Sequence, residues 1–135
     1  MNQLTALVER NHATIRPARD EDIQQLGESL GFVLADEYVD YLSEFGVIVF
    51  GATETYGLGV PQDYYLNVRN MYADLSRDAT YPRLAVPLVD AGDGRYYLYD
   101  NGSRQVLLWA TPNGGIVETL SEGLEAFLVK QIFRP

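Results

Sequence analysis

Apolar residues in the first third of the chain recur with helical spacing. Leu4, Leu7 and Val8 stand at i, i+3 and i+4 and predict a short opening helix over roughly 3–12. Pro17 disfavours its continuation, and Asp20 is a good N-cap for a second helix. Ile23, Leu26 and Leu30 line one face of that helix, and Gly31 can close it. The segment FVLA then forms an extended connector into a third helix. There Tyr38, Tyr41, Leu42 and Phe45 occupy i, i+3, i+4 and i+7, a complete inward stripe that ends at Gly46.

Beyond Gly46 the period changes. VIVF and ETYGL read as strands separated by Gly51-Ala52. A Pro61-Gln62-Asp63 turn leads into a helix near 66–77, with Val68, Met71, Tyr72 and Leu75 facing inward. After Pro82 the segments LAVPLVD, RYYLYD and QVLLWA predict a β-meander, with Asp93-Gly94 and Asn101-Gly102 at its tight turns. Asn113-Gly114-Gly115 makes a further turn before a short strand, IVE. Thr119 and Glu122 read as the capping box of a closing helix that carries Leu124, Phe127, Leu128, Gln131 and Ile132. This order predicts an α+β fold in one domain spanning 1–135. An antiparallel or mixed sheet, a meander in its second half, packs with N-terminal helices, a middle helix and a C-terminal helix. No repeat or low-complexity tract interrupts it.

Composition narrows the function. A chain of 135 residues buries enough surface to fold without disulfide or metal, and it contains no cysteine. Thiolate metal sites and cysteine nucleophiles are therefore excluded. The amino terminus lacks the basic and apolar regions of a signal peptide, and VIVF is far too short to span a membrane. We therefore expect a cytoplasmic protein with no membrane partner.

A net charge of −9 argues against nucleic-acid binding. Its distribution is more informative. Between Arg19 and Arg69 stand ten acids (Asp20, Glu21, Asp22, Glu28, Asp36, Glu37, Asp40, Glu44, Glu54 and Asp63) and no Lys or Arg. Essentially all the net charge sits in that stretch, an asymmetry that bears on partners and association rate.

Each candidate for chemistry has a plainer alternative. Asp36, Asp40 and Glu44 form a ridge on the polar side of the third helix. An exposed helix face offers neither cleft nor burial to split carboxylate pKa values for catalysis. The ridge is either a docking face for a basic protein or a solvated surface. Asp90, Asp93 and Asp100 lack the spacing of a calcium loop, so no metal is expected. Gly57-Leu58-Gly59 lacks the third glycine and the following helix of a nucleotide fingerprint, and reads as a bend at a strand end. His12, the sole histidine, suits a helix C-terminus. Among the ten tyrosines, Tyr38, Tyr41, Tyr72 and Tyr97 fall at core-facing positions. Tyr56, Tyr64 and Tyr65 lie beside Glu54 and Asp63, where they either anchor a Lys/Arg-rich partner or pack under a loop.

The order of the segments adds a resemblance. The pattern I-x-x-L-x-x-x-L-G-x-x-L at 23–34, DEYVDYLSEFG at 36–46 and VIVFGATETYGL at 47–58 resembles the SUKH superfamily, the Smi–Knr-like proteins. The later VPLVDAGDGRYYLYD and GSRQVLLWA also resemble that family's pattern, so the likeness runs from about Ile23 to Trp109. Ala35 stands where the family usually has proline, and Phe45-Gly46 replaces its usual Asn-Gly. The resemblance implies an α+β domain without catalytic residues or cofactors. It implies an immunity protein that binds and neutralises a cognate bacterial toxin, a basic nuclease-type domain, by steric and electrostatic occlusion. The alternative it carries is a regulatory or scaffold domain. The partner-binding residues expected are Asp36, Glu37, Asp40, Glu44, Glu54, Tyr56, Asp63, Tyr64 and Tyr65, on a monomer or weak homodimer.

Overall fold

The computed structural model describes residues 1–134. Five helices and two antiparallel sheets follow in the order α1 (Asn2–Asn11), β1 (Thr14–Ile15), α2 (Asp20–Leu30), α3 (Asp36–Glu44), β2 (Ile48–Phe50), β3 (Thr53–Glu54), α4 (Val68–Leu75), β4 (Ala85–Gly92), β5 (Arg95–Asp100), β6 (Gln105–Ala110), β7 (Gly115–Thr119) and α5 (Leu124–Phe133). The expected α+β fold with a meander in its second half is thus present. The strands divide into a small sheet, β1-β2-β3, and a meander, β4-β5-β6-β7.

The helical stripes bury as their spacing requires. Tyr38, Tyr41, Leu42 and Phe45 join Leu4, Val8, Ile23 and Leu26 in one core with Tyr99, Val106, Phe127, Leu128 and Ile132. β4 and β6 carry continuous apolar runs, Ala85–Val89 and Val106–Trp109, because both of their faces are covered there, whereas β7 is largely exposed. Neighbouring residues of a strand point to opposite faces. Tyr99 enters the main core, whereas Leu98 joins Leu75, Tyr81, Ala85 and Trp109 in a second cluster. The Trp109 indole there donates to the Thr80 carbonyl at 3.2 Å and hydroxyl at 3.1 Å.

Four local expectations are revised. Asp20 opens α2 as its first residue, and Arg19 holds the N-cap position. Thr119 lies in β7 and Gly123 caps α5, so no capping box forms; Glu122 instead pairs with Lys130 at 3.3 Å. Of ETYGL only Glu54 lies in a strand, β3, after which the backbone turns to bond the meander. Asp93-Gly94 does make a tight turn with both residues at positive φ, but Asn101-Gly102 does not. Asn101 is buried: its Oδ1 accepts from Ala35 N at 2.8 Å and its Nδ2 donates to Leu84 O at 3.1 Å. It ties the start of α3 to the sheet, and the chain reverses over 101–104 with Arg104 at φ 61°.

All the layers meet at Thr55–Gly57. Ile48 N–H donates to the Thr55 hydroxyl at 2.8 Å. That hydroxyl bonds the Tyr41 hydroxyl at 2.6 Å, and Tyr41 donates onward to the Tyr56 carbonyl at 2.9 Å. Tyr56 N–H reaches Leu88 O at 2.8 Å, Gly57 N–H reaches Leu66 O at 2.9 Å, and Val68 N–H returns to Gly57 O at 2.8 Å. Backbones approach so closely that a Cβ on Gly57 would lie 1.6 Å from Gly46 O. One on Gly46, at φ 71°, would lie 1.7 Å from Arg16 O. Arg16 N–H and Ala18 N–H in turn satisfy Phe45 O and Leu42 O at the end of α3.

Two predictions follow from buried or clustered polar groups. Tyr38 and Tyr41 are both fully buried, but the Tyr38 hydroxyl has no partner among the described residues. Tyr41→Phe should therefore cost about 1–3 kcal/mol by stranding the Thr55 hydroxyl and Tyr56 carbonyl. Tyr38→Phe, which keeps its ring stacked between Tyr41 and Tyr99, should match or exceed wild-type stability. Urea midpoints compare the two, and equal losses would contradict the network. The second concerns Asp78, whose carboxylate accepts from Thr80 N, Thr80 Oγ1, Thr111 Oγ1 and Asn113 N at 2.7–2.8 Å. The Thr80 backbone bond first, then Thr111 and Asn113, hold its carboxyl well below the usual range. A depressed folded pKa stabilises above the unfolded value of about 3.9 and is lost as pH falls through the folded one. Asp78→Asn should thus lower the urea midpoint at neutral pH, and the gap should close below about pH 4.

Candidate functional site

The nine candidate residues fall into two groups. Asp36, Asp40 and Glu44 lie exposed along the outer ridge of α3, opposite its buried tyrosines. Glu37, one residue round the helix, is half-buried and accepts a hydrogen bond from the Tyr99 hydroxyl. Burial and then that carboxylate push the Tyr99 phenol above its ordinary range. Glu37 therefore ties α3 to the meander as well as adding charge.

The second group surrounds a cleft of about 660 Å³. Its walls are Thr53 and Glu54 of β3, Tyr65 and Leu66 of the following loop, Val89–Gly92 at the end of β4, Tyr97 of β5 and Gln131 of α5. Thr55 turns into the core, so Glu54 and Tyr56, two residues apart, share the cleft side. The Tyr65 hydroxyl donates to Glu54, and the Tyr64 ring packs against Tyr65 with centroids 4.7 Å apart. Tyr64 and Tyr65 are 41% and 55% exposed, and Asp63 beside them is exposed. Tyr56 differs: only 6% of it is accessible, so it lines the cleft floor and offers little area to a partner in this conformation.

Of the cleft lining only Glu54, Tyr56 and Tyr65 belong to the expected partner-binding residues; Asp90, which the sequence offers as a metal candidate, and Tyr97, which it places in the core, join them here. β4–β5 pairing sets Val89 opposite Tyr97 and Asp90 opposite Tyr96. The bond from Tyr56 N–H to Leu88 O then brings this edge against β3. Only a long-range contact of that kind joins them. The cleft lining contains Glu54 and Asp90 and no Lys or Arg.

The remaining motifs have structural roles. Asp90 Oδ1 accepts from Gly92 N–H, and Asp100 Oδ1 accepts from Gly102 and Ser103 N–H, shaping turns. No group of three or more His, Asp or Glu side chains among the described residues could hold a metal ion. A Cβ on Gly59 would lie 1.7 Å from Arg16 O, so the Gly57-Leu58-Gly59 bend packs against backbone. His12 ends α1 in the left-handed conformation.

Charge is poorly compensated within the chain. Of the ten acids from Asp20 to Asp63, Glu21 and Asp22 pair with Arg19, and Glu44 lies 3.7 Å from the Met1 amine. The others have no ion-pair partner among the described residues.

Helices packed on two antiparallel sheets, with no helix among the described residues long and apolar enough to cross a membrane, define an α+β domain. The SMI1-KNR4 cell-wall family model (SUKH_6) matches residues 20–128, and the chain belongs to this family of the SUKH superfamily. A crystal structure of a protein from Pseudomonas syringae pv. tomato shares the fold with a TM-score of 0.73. At 14% identity, the match covers 98% of this chain and 97% of that one. No curated protein matches the chain. The family is generally non-catalytic and points to protein–protein interaction.

The cleft makes a spectroscopic prediction. Its hydrogen bond to Glu54, followed by a contact with Tyr64, raises the Tyr65 phenol above its ordinary value. Ring-resonance titration by NMR should find Tyr65 ionising later than a free tyrosine, near 10. Glu54→Gln should move it back down, and an unchanged titration would separate the two groups.

Proposed function

We propose that this chain is an immunity protein that binds a toxin of basic surface and neutralises it by covering its working groove. The carrying observation is the poorly compensated acidic surface: the α3 ridge of Asp36, Asp40 and Glu44, of which only Glu44 has an ion-pair partner among the described residues, the Met1 amine, together with the exposed or half-exposed Glu54, Asp63, Tyr64 and Tyr65. A nuclease must be basic to hold phosphates, so such a surface attracts it over distance and excludes its substrate. Long-range attraction raises the association rate, and a few buried contacts at the interface set the dissociation rate. Membership of a generally non-catalytic family supports binding over chemistry. A second reading, a regulatory or scaffold domain, is favoured by the family's description as cell-wall proteins.

The test is to co-express this chain with whatever toxin-like domain a neighbouring gene encodes, scoring survival and association rate. Wild type should protect. Asp36→Lys, Asp40→Lys and Glu44→Lys combined should slow association by roughly tenfold or more at low salt, the range that steering spans. Circular dichroism should show the fold intact, since all three side chains are exposed. Unchanged rate and protection would remove the ridge from the interface.

A further inference from the structure

Resting on the partner-binding reading, we propose that the cleft between β3, the Tyr65 loop and the end of β4 is a receptor for one arginine side chain presented by the partner. Glu54 on one wall and Asp90 on the other supply two carboxylates, and no cation among the lining residues neutralises them. The same cleft is lined by a polar group that the fold leaves unused, the Tyr56 hydroxyl. Tyr56 is 94% buried by its 6% exposure, its backbone N–H and C=O are both bonded within the fold, and its hydroxyl makes no hydrogen bond among the described residues. Burial first, then the fields of Asp90, Tyr96 and Glu54, push that phenol above its ordinary range. The neutral phenol oxygen has lone pairs to accept with.

A guanidinium answers each feature. It is a planar fork of five donors that can engage separate acceptors at once. Its faces stack on aromatic rings, and Tyr65 and Tyr97 stand in the walls. Its three-carbon stem can cover exposed apolar surface such as Ala52 and Ala91. The volume of about 660 Å³ admits the whole side chain. A lysine ammonium, a compact point charge, would satisfy one wall and leave the other. Glu54 stays available while bonded by Tyr65, because a carboxylate offers about four acceptor positions.

The experiment titrates isotope-labelled full-length protein with N-acetyl-arginine amide, N-acetyl-lysine amide and N-acetyl-citrulline amide, the last an uncharged isostere of arginine. Arginine amide should shift backbone signals of 53–56, 89–92 and 97 with millimolar affinity. Glu54→Gln with Asp90→Asn should weaken that by about tenfold or more, as loss of charge-assisted bonds requires. Asn at 90 retains the acceptor for Gly92 N–H. Tyr56→Phe, which keeps ring and backbone contacts, should weaken it several-fold with urea stability retained. Citrulline equal to arginine, lysine equal to arginine, or shifts confined to other surfaces would each overturn the assignment. The double variant is then scored against the toxin domain. Lost affinity supports the cleft, whereas full protection and unchanged affinity overturn it and leave toxin neutralisation standing. Failure of wild type to protect overturns the functional reading instead, and the arginine titration still judges the cleft.

Discussion

A relay of buried hydrogen bonds from Ile48 N–H through the Thr55 and Tyr41 hydroxyls to the Tyr56 carbonyl joins α3, the small sheet and the path to the meander. Chains of this kind reinforce one another in a low-dielectric interior, and losing one member strands the rest. The relay is feasible because Gly57 and Gly46 carry no side chain where their backbones touch. It also sets the candidate site. With Thr55 held inward, Glu54 and Tyr56 have to face the other way, toward Asp90 and Tyr97. The cleft is thus a by-product of the contact that holds the core together.

Much of this was legible in the chain. The helices announced themselves because each buries a single stripe: Ile23 and Leu26 on α2, and Tyr38, Tyr41 and Leu42 on α3. The meander was visible for another reason, its turns at Asp93-Gly94 and Asn113–Gly115 separating long apolar runs. Elements that depend on distant partners were not legible. β1 is two residues long and exists because Thr14 and Ile15 pair with Val49 and Ile48. Asn101 reads locally as a turn former, yet its amide binds Ala35 and Leu84 in the interior. Thr119 and Glu122 have the spacing of a capping box, but pairing of Thr119 with Leu107 keeps the strand going past it.

The site divides in the same way. The acidic ridge follows from helical spacing alone, so Asp36, Asp40 and Glu44 were readable as a group. The cleft was not, because residues near 54 and near 90 meet through long-range contacts such as the bond from Tyr56 to Leu88. Glu37 and Tyr56 show the limit of reading charge and aromaticity without contacts. One holds a sheet tyrosine and the other floors a cleft. Under the proposed function, the two groups would suit different stages of one binding event. Exposed carboxylates act over distance and are screened by salt, whereas a walled cleft acts on contact and is screened less.

That division makes ionic strength the most direct probe of the account. The association rate of this chain with a candidate basic toxin domain can be followed by stopped flow from low salt, where the screening length is about 30 Å, to 0.15 M, where it is about 8 Å. An acidic protein steered onto a basic groove should associate about tenfold or more slowly at the higher salt, with a much smaller change in dissociation. A rate independent of salt would contradict electrostatic occlusion as the way this protein works.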